Sequence, residues 1–277
     1  MNTLLGQPAN PTFGTLLRQW RTTRRLTQLG LATDAGISSR HLSFLETGRS
    51  QPSREMVQLL AGMLDVPLSD RNAMLIGAGY APVYGERPLG APELEHVRRA
   101  LEFTLRQQEP YPALVIDGYH DIVMRNDASR RIFEIFRGPV PANRTINGLR
   151  TIFDPNGLRP FIVNWDEMAE CLMQGLQRQI VETGSDRLMK MRDELLAFPG
   201  VPARFKSLSE MRAEPPIINM HLRKGDVSLA FFSAVTFIGR ARDITLQELK
   251  IECFFPADAA TDQFARRLAS TPLTLAV

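Results

Sequence analysis

A chain of 277 residues has room for about two domains, and its 44% apolar content is ample for globular cores. No stretch approaches the roughly 18 consecutive apolar residues of a membrane-spanning helix, and no charged n-region with an apolar h-region opens the chain. Cys171 and Cys253 stand alone, without a CxxC pair or disulfide framework, and His41, His96, His120 and His221 are scattered without metal-ligand spacing. These features predict a cytoplasmic, bacterial protein with no structural metal and no membrane partner.

In chain order, Phe13, Leu16, Leu17, Trp20 and Arg24 recur at helical spacing, giving a first helix with an apolar face and an arginine-rich one. Thr27 can cap a second helix whose inward positions are Leu31, Ala32 and Ala35. Gly36 supplies the positive φ that ends it, and Ile37 drops into the core beneath the turn. Ser38 then caps a third helix with Leu42 and Leu45 inward, and Thr47-Gly48-Arg49 closes it. Ser53 starts a fourth, burying Met56, Val57, Leu60 and Leu64, and Pro67 opens a fifth through Leu68, Leu75 and Ile76. The first 80 residues therefore read as an all-α module of five helices.

The second and third helices, joined by a glycine-centred turn, have the form of a helix-turn-helix, whose recognition helix enters the DNA major groove by its N-terminal residues. Ser38, Ser39, Arg40, Ser43 and Phe44 occupy those positions here, with Thr47 and Arg49 at the helix end where a phosphate would run. Between residues 11 and 54 stand Arg18, Arg21, Arg24, Arg25, Arg40, Arg49 and Arg54 against Asp34 and Glu46. Positive charge is thus concentrated on this module, while the whole chain carries only +3; phosphate neutralisation requires such localisation.

Arg21, Leu26-Thr27-Gln28, Leu31-Ala32, Ala35-Gly36-Ile37-Ser38, Leu42, Leu45-Glu46, Gly48-Arg49 and Pro52-Ser53 resemble the helix-turn-helix of the xenobiotic-response-element family. The resemblance implies that Gln28 clamps a phosphate, that Ser39, Arg40 and Phe44 face the bases, and that Arg21 pairs with Glu46 as a structural strut. Gly30 departs from the pattern, where a long polar residue is usual. A glycine inside a helix costs up to about 1 kcal/mol relative to alanine, so the second helix is expected to be soft.

Pro82, Pro88 and Pro92 mark residues 81–92 as a linker. An amphipathic connector helix follows to about Gln108, with Leu94, Val97, Leu101 and Leu105 on one face, suited to a sheet or to a symmetry mate. A strand hairpin is expected at Pro112–Asp117 and Asp121–Arg125, then a helix at Asp127–Phe136 anchored by Ile132, Phe133 and Phe136. Asp117 and Asp121 flank the hairpin turn, where a turn or capping role is expected of them. Asn164 and Glu167 have capping-box spacing before a helix carrying Trp165, Met168, Ala169, Leu172, Met173, Leu176 and Ile180. Ser185 begins another, with Leu188, Met191 and Leu195, and three strands follow at Ile217–Arg223, Val227–Ile238 and Ile244–Phe255.

A two-residue turn at Gly225-Asp226 sets the register of the first two of these strands. It pairs Lys224 with Val227, Leu222 with Leu229, Met220 with Phe231 and Ile218 with Ser233. Those residues form one apolar face, expected to continue through Val235 and Phe237 and, on the third strand, through Leu249, Ile251, Cys253 and Phe255. Asn219, His221 and Arg223 lie on the other face, as in an antiparallel sheet covered on one side.

Two strands, several helices and three strands resemble a PAS-like α/β (α+β) fold with a five-stranded antiparallel sheet, and Asn126-Asp127-Ala128 is similar to the start of the PAS helix. Gly79-Tyr80-Ala81-Pro82, Glu109-Pro110-Tyr111-Pro112-Ala113-Leu114, Asn156-Gly157-Leu158-Arg159-Pro160 and Ile162-Val163-Asn164-Trp165 follow a helix-turn-helix. Together they resemble the MmyB-like transcription regulators over residues 10–270. The domains implied are a DNA-binding module at 1–80, the linker at 81–92, and a PAS-like sensor at 93–277 that begins with the connector helix.

The resemblance implies a bound apolar ligand, with a fatty acid as the leading class and no other cofactor. Phe133, Met168, Leu172, Met173, Phe231 and Val235 would line a cavity between helices and sheet, although apolar rows at such spacings are core by default. Arg125, Arg159, His221 or Arg223 could anchor a carboxylate, but residues of these types are more often solvated at the surface. A ligand-responsive regulator is favoured over a DNA-binding protein whose second domain only dimerises or binds protein. Catalysis is not expected, because no nucleophile elbow, phosphate loop, dinucleotide fingerprint or clustered catalytic set occurs in the sequence. A homodimer on an inverted-repeat DNA operator, spaced by the sensor domain, completes the expectation.

Overall fold

The computed structural model describes residues 11–139, 145–207, 217, 219–239 and 241–270. The chain divides into two compact units, Met1–Arg87 with Ala241–Ile244, and Pro88–Arg240 with Thr245–Val277.

The first unit contains helices α1 (Phe13–Thr23), α2 (Gln28–Asp34), α3 (Ser39–Glu46), α4 (Arg54–Met63) and α5 (Leu68–Gly77). Hydroxyl caps begin four of them: Thr12, Thr27, Ser38 and Ser53 accept from the N–H three residues on, satisfying donors that a helix start leaves unpaired. Leu17, Leu31, Leu42, Leu45, Val57, Leu60 and Met74 meet in one core, with Ile37 packed against it. Gly36, at φ +66°, makes the left-handed turn between α2 and α3. At Gly14 a Cβ would lie 2.6 Å from the carbonyl oxygens of Leu45 and Glu46, so the missing side chain lets α1 pack against the end of α3. Gly30, the expected weak point of α2, gives its N–H to Thr27 Oγ1 at 3.0 Å and so takes part in the cap. Ile76, on the same helix, is exposed. Met74 and Leu75 occupy the inward arc of α5, and one further step of about 100° turns Ile76 away.

In chain order the remaining elements are α6 (Glu95–Gln107), β1 (Ala113–Ile116), β2 (Asp121–Arg125), α7 (Asp127–Arg137), β3 (Ile146–Asn147) and α8 (Gly148–Phe153). Then come α9 (Trp165–Thr183), α10 (Asp186–Ala197), β4 (Asn219–Lys224), β5 (Val227–Phe237), α11 (Ile244–Glu248), β6 (Lys250–Pro256) and α12 (Ala259–Ala269). The sheet is antiparallel with order β3-β2-β1-β6-β5-β4. It has six strands instead of the expected five, because Ile146 and Asn147 add a short edge beside β2.

The β4–β5 hairpin has the expected register, with Lys224 opposite Val227, Leu222 opposite Leu229 and Met220 opposite Phe231. Ile218 lies outside the described residues. The face assignment of β6 was inverted. Phe231 faces Pro256, and Ser233 faces Phe254, so Phe254 and Glu252 share the Phe231 face. Ile251, Cys253 and Phe255 lie on the other, where Phe255 stacks on Phe232 at 5.4 Å. The apolar row misled because both faces of the central strands are covered. Ala113 and Val115, fully buried, pair with Cys253 and Ile251 on the back face, over which α6 packs with Leu101 and Leu105 buried. Of the two uses open to the connector helix, its apolar face is taken by the sheet.

Three further expectations are corrected. Ile244–Glu248 is a helical turn, not strand; the buried Leu246 and Leu249 are three apart, which suits a helix better than alternation. Val235 and Phe237 do not continue the covered face but are exposed at the far end of β5. Asn164 precedes α9 without a side-chain cap bond. Its amide instead donates to Asn219 O at 2.6 Å and accepts from His221 N at 3.1 Å, pinning the α9 entry to β4.

Candidate nucleic-acid interface and ligand cavity

On α3, Ser38 is spent on the cap, accepting from His41 N at 3.1 Å. Ser39 and Arg40 are exposed on the first turn, Ser43 and Phe44 are half-buried beside them, and Thr47 and Arg49 are exposed past the last turn. The Arg40 and Arg49 guanidinium groups sit 5.3 and 6.0 Å from the Phe44 ring centroid. The aromatic ring thus holds two cations on one exposed face, an arrangement worth about 0.5–1 kcal/mol per contact at such sites. Thr47 gives its hydroxyl to Ser43 O at 2.8 Å, so it can offer a partner only lone pairs.

Behind this face Glu46 is nearly sealed from solvent. Arg21 reaches it from α1 with Nε at 2.6 Å and Nη2 at 3.1 Å, and Gln28 Nε2 donates to it at 2.7 Å from the start of α2. One carboxylate therefore joins three helices. Burial pushes its pKa up, but the bonds from Arg21 and Gln28 and the guanidinium charge outweigh that and hold it below the ordinary 4.5. Two arginines counted towards the positive surface are turned inward. Arg21 is bound to Glu46 and Leu26 O, and Arg24 donates to Leu64 O and Asp65 O while lying over Trp20.

The second unit contains a cavity of about 210 Å³ between the sheet, α7, α8 and α9. For scale, a dry engineered cavity of about 150 Å³ holds benzene. Leu114, Ile116, Ile122, Phe133, Leu149, Ile152, Met168, Leu172, Phe231 and Phe254 form most of the wall. Of the expected lining residues, Phe133, Met168, Leu172 and Phe231 reach it; Met173 is packed into the core and Val235 is exposed. A satellite of about 40 Å³ shares Leu114, Phe133, Leu158, Met220, Phe231 and Phe254 with the larger space.

The polar groups on the wall, which the sequence reading missed, include His120, Thr151, Ser233 and Glu252. Glu252 is half-buried on the cavity wall, and burial raises its pKa although a bond from Ser233 and the charge of Lys250 oppose the shift. Burial likewise lowers His120, with Lys250 adding to the effect and Gln179 opposing it. The one available signal for Glu252 was an acid among the apolar Ile251, Cys253, Phe254 and Phe255.

The four suggested carboxylate anchors lie elsewhere. Arg159 is stacked 3.9 Å from the Trp165 centroid and bound to Pro199 O, and His221 and Arg223 are exposed on the opposite face of β4. Arg125 stays outside the wall, 5.9 Å from the Phe133 centroid. Asp117 and Asp121 have the expected structural roles. Asp117 Oδ1 accepts from Tyr119 N and Asp121 N in the hairpin turn, and Asp121 binds Asn147.

Comparison with known families decides the identity. The MmyB-like transcription regulator ligand binding domain matches residues 97–268, well over half of the chain. The chain belongs to the MmyB-like transcription regulators. A helix-turn-helix domain matches residues 12–74 of this MmyB-like regulator, so its DNA-binding and ligand-binding parts coincide with α1–α5 and with the α/β domain that starts at α6. No curated protein matches the chain. Among solved structures, the PAS domain from Bordetella pertussis BvgS is similar at 15% identity over 62% of this chain and 95% of that one. Its TM-score is 0.27, too loose a superposition to bear on function. No described helix is long and apolar enough to cross a membrane.

Proposed function

We propose that this MmyB-like regulator reads double-stranded DNA through the exposed N-terminal face of α3 and that a small lipophilic molecule in the α/β cavity modulates the affinity. The observation that carries the reading is the Arg40–Phe44–Arg49 surface, held outward by the buried Glu46 strut. Ser39 and Arg40 face the base edges, Ser38, Ser43, Thr47 and Arg49 flank them, and Gln28 meets a phosphate with the amide hydrogen that Glu46 does not take. The apolar wall suits an acyl chain, so the fatty-acid class remains compatible with the body of the ligand. Phe133, Met168, Leu172 and Phe231 are its contacts, the methionine supplying an adaptable surface. The active form is a homodimer on an inverted repeat in the bacterial cytoplasm.

The test is selection of bound sequences from random duplexes by the full chain, followed by operator titration with ligand-stripped and ligand-loaded protein. An enriched inverted repeat whose affinity changes with loading is expected. The competing reading, a second domain that only dimerises or binds protein, predicts equal affinities. The cavity favours the first, because a pure interaction domain gains nothing from an unfilled core.

A further inference from the structure

Ser129 on α7 is only 1% exposed, and its hydroxyl oxygen has no hydrogen-bond partner within the chain. The backbone of the same residue is satisfied separately, Ser129 N donating to Asn126 Oδ1 at 3.0 Å in the α7 cap. A serine inside a helix commonly returns its hydroxyl to the carbonyl four residues earlier. Here that residue is Arg125, the end of β2, so no preceding helical turn exists to accept it. A buried hydroxyl without a partner is destabilising, and native proteins keep few of them.

Ser129 borders the satellite cavity of about 40 Å³, where it is the one polar side chain among the described lining residues. Ile132 and Phe133, three and four positions further along α7, line the same space, so all three share one helix face. A buried water needs two to four polar partners, and these side chains offer it a single hydroxyl. An oxygen carried on an apolar chain can make do with one partner, because the chain fills the space around it. The satellite joins the main cavity along Leu114, Phe133 and Phe254, which line both. Pro112 borders the satellite and Ile116 the main cavity, and four steps of extended chain separate them by about 13 Å. His120, Thr151, Ser233 and Glu252 line only the main cavity, and Ser129 only the satellite. Polar groups therefore stand at two places with apolar wall between them.

We propose that Ser129 anchors a second oxygen on the ligand: the cavity takes an acyl-type chain oxygenated far from its head group, whose remote hydroxyl or carbonyl oxygen accepts the Ser129 hydroxyl. This rests on the reading that the cavity is the ligand site, and it narrows the ligand from a plain chain to an oxygenated one. The head group stays at the end lined by His120, Thr151, Ser233 and Glu252. Folding has already taken the Ser129 hydroxyl out of water, so the bond to the ligand is made without a further dehydration cost on the protein side. A chain that ends in a methyl group fits the same space and leaves the donor unpaired, which makes Ser129 a specificity-determining residue.

The experiment is calorimetric titration of the ligand-stripped full chain at neutral pH with three acids of equal chain length: dodecanoate, ω-hydroxydodecanoate and 2-hydroxydodecanoate. The ω-hydroxy acid is expected to bind about fivefold more tightly than dodecanoate, and the 2-hydroxy acid, whose extra oxygen lies beside the head group, is not. Ser129→Ala should weaken the ω-hydroxy acid by about tenfold and leave dodecanoate unchanged, reversing the preference. The substitution removes no hydrogen bond of the folded chain, so the ligand-free variant is expected to melt no lower than the unmodified protein. A lower melting temperature reveals a structural partner for the hydroxyl and overturns the proposal. Equal affinities for dodecanoate and the ω-hydroxy acid, as when an ordered water alone serves Ser129, overturn it while leaving the cavity as the ligand site. The same holds if the 2-hydroxy acid gains as much as the ω-hydroxy acid, or if Ser129→Ala weakens dodecanoate, which puts the head group at Ser129. Failure of all three acids to bind overturns both readings.

Discussion

In the proposed DNA complex, Arg40 and Gln28 separate two kinds of contact. A guanidinium aimed at a base edge contributes discrimination of about 1–3 kcal/mol against the wrong base, so Arg40→Ala is expected to flatten sequence preference in selected-site binding. Gln28→Ala should weaken all sequences alike, since phosphates carry no sequence information directly. It should also lower thermal stability slightly, because the same amide bonds Glu46. Unchanged preference in the Arg40 variant would remove that residue from the reading surface. Glu46 itself is predicted to be structural. Glu46→Ala leaves the Arg21 guanidinium partly buried without its partner, and a loss of about 1–3 kcal/mol is expected. The folded carboxyl binds its proton less tightly than the unfolded one, so its contribution is complete above the ordinary value of 4.5 and vanishes as pH falls through the lower folded value. Thermal melts of a fragment ending near residue 87 should therefore show a steeper acid loss in the native sequence than in Glu46→Ala.

At the scale of elements, close approach and buried amides set the joints. Gly14→Ala places a methyl against two carbonyl oxygens at 2.6 Å, and backbone cannot yield as a flexible side chain does. A destabilisation of about 1–3 kcal/mol is expected, read as a lower melting temperature of the helical unit. Asn126 is the corresponding joint in the ligand-binding domain. Its Oδ1 accepts from Ser129 N, capping α7, and from Ala113 N, fastening β1, while Nδ2 donates to Tyr111 O at 2.7 Å. Asn126→Ala strands these buried groups and should cost about 2–4 kcal/mol. Asn126→Asp keeps both accepted bonds and should cost less; equal losses in denaturant titration would contradict this division. Much of this level was legible beforehand. The Ser/Thr caps, the Gly36 turn and the β4–β5 register all depend on residues within a few positions of one another. Asn164 does meet Glu167, its amide donating to the carboxylate at 3.1 Å, but its oxygen serves His221 N instead of capping the helix, a partner more than 50 residues away.

For the whole molecule, one recognition helix reads too few base pairs to mark a unique genomic site. In the proposed homodimer two would engage half-sites about 34 Å apart. Light scattering is predicted to show a dimer for the full chain and a monomer for the fragment ending near residue 87; a monomeric full chain at micromolar concentration would sink the prediction. The apolar stripe of α6 is not the two-fold contact, since Leu94, Leu101 and Leu105 are buried within their own unit. Exposed Phe103 is what that helix has left to offer. Substituting Phe103 with Lys should then leave folding intact, and a retained dimer would move the contact to another surface. On that proposal, ligand occupancy would alter DNA affinity only as far as it prefers one dimer spacing over another.

By itself the sequence determined the helical DNA-binding module and the register and covered face of the β4–β5 hairpin. Each follows from local rules: caps, a positive-φ glycine, and periods of 3.6 and 2. Only the tertiary structure decided which way β6 faces, and with it the character of the cavity. Apolar Ile251 and Cys253 go to the back, and Glu252 goes inward. The pairing that fixes this brings residue 231 to residue 256 and residue 114 to residue 252, and α6 covers the side that a one-faced sheet would leave wet. When both faces of a strand are covered, hydrophobicity no longer says which is which. The choice then belongs to strand register and helix placement, which no short window of sequence contains.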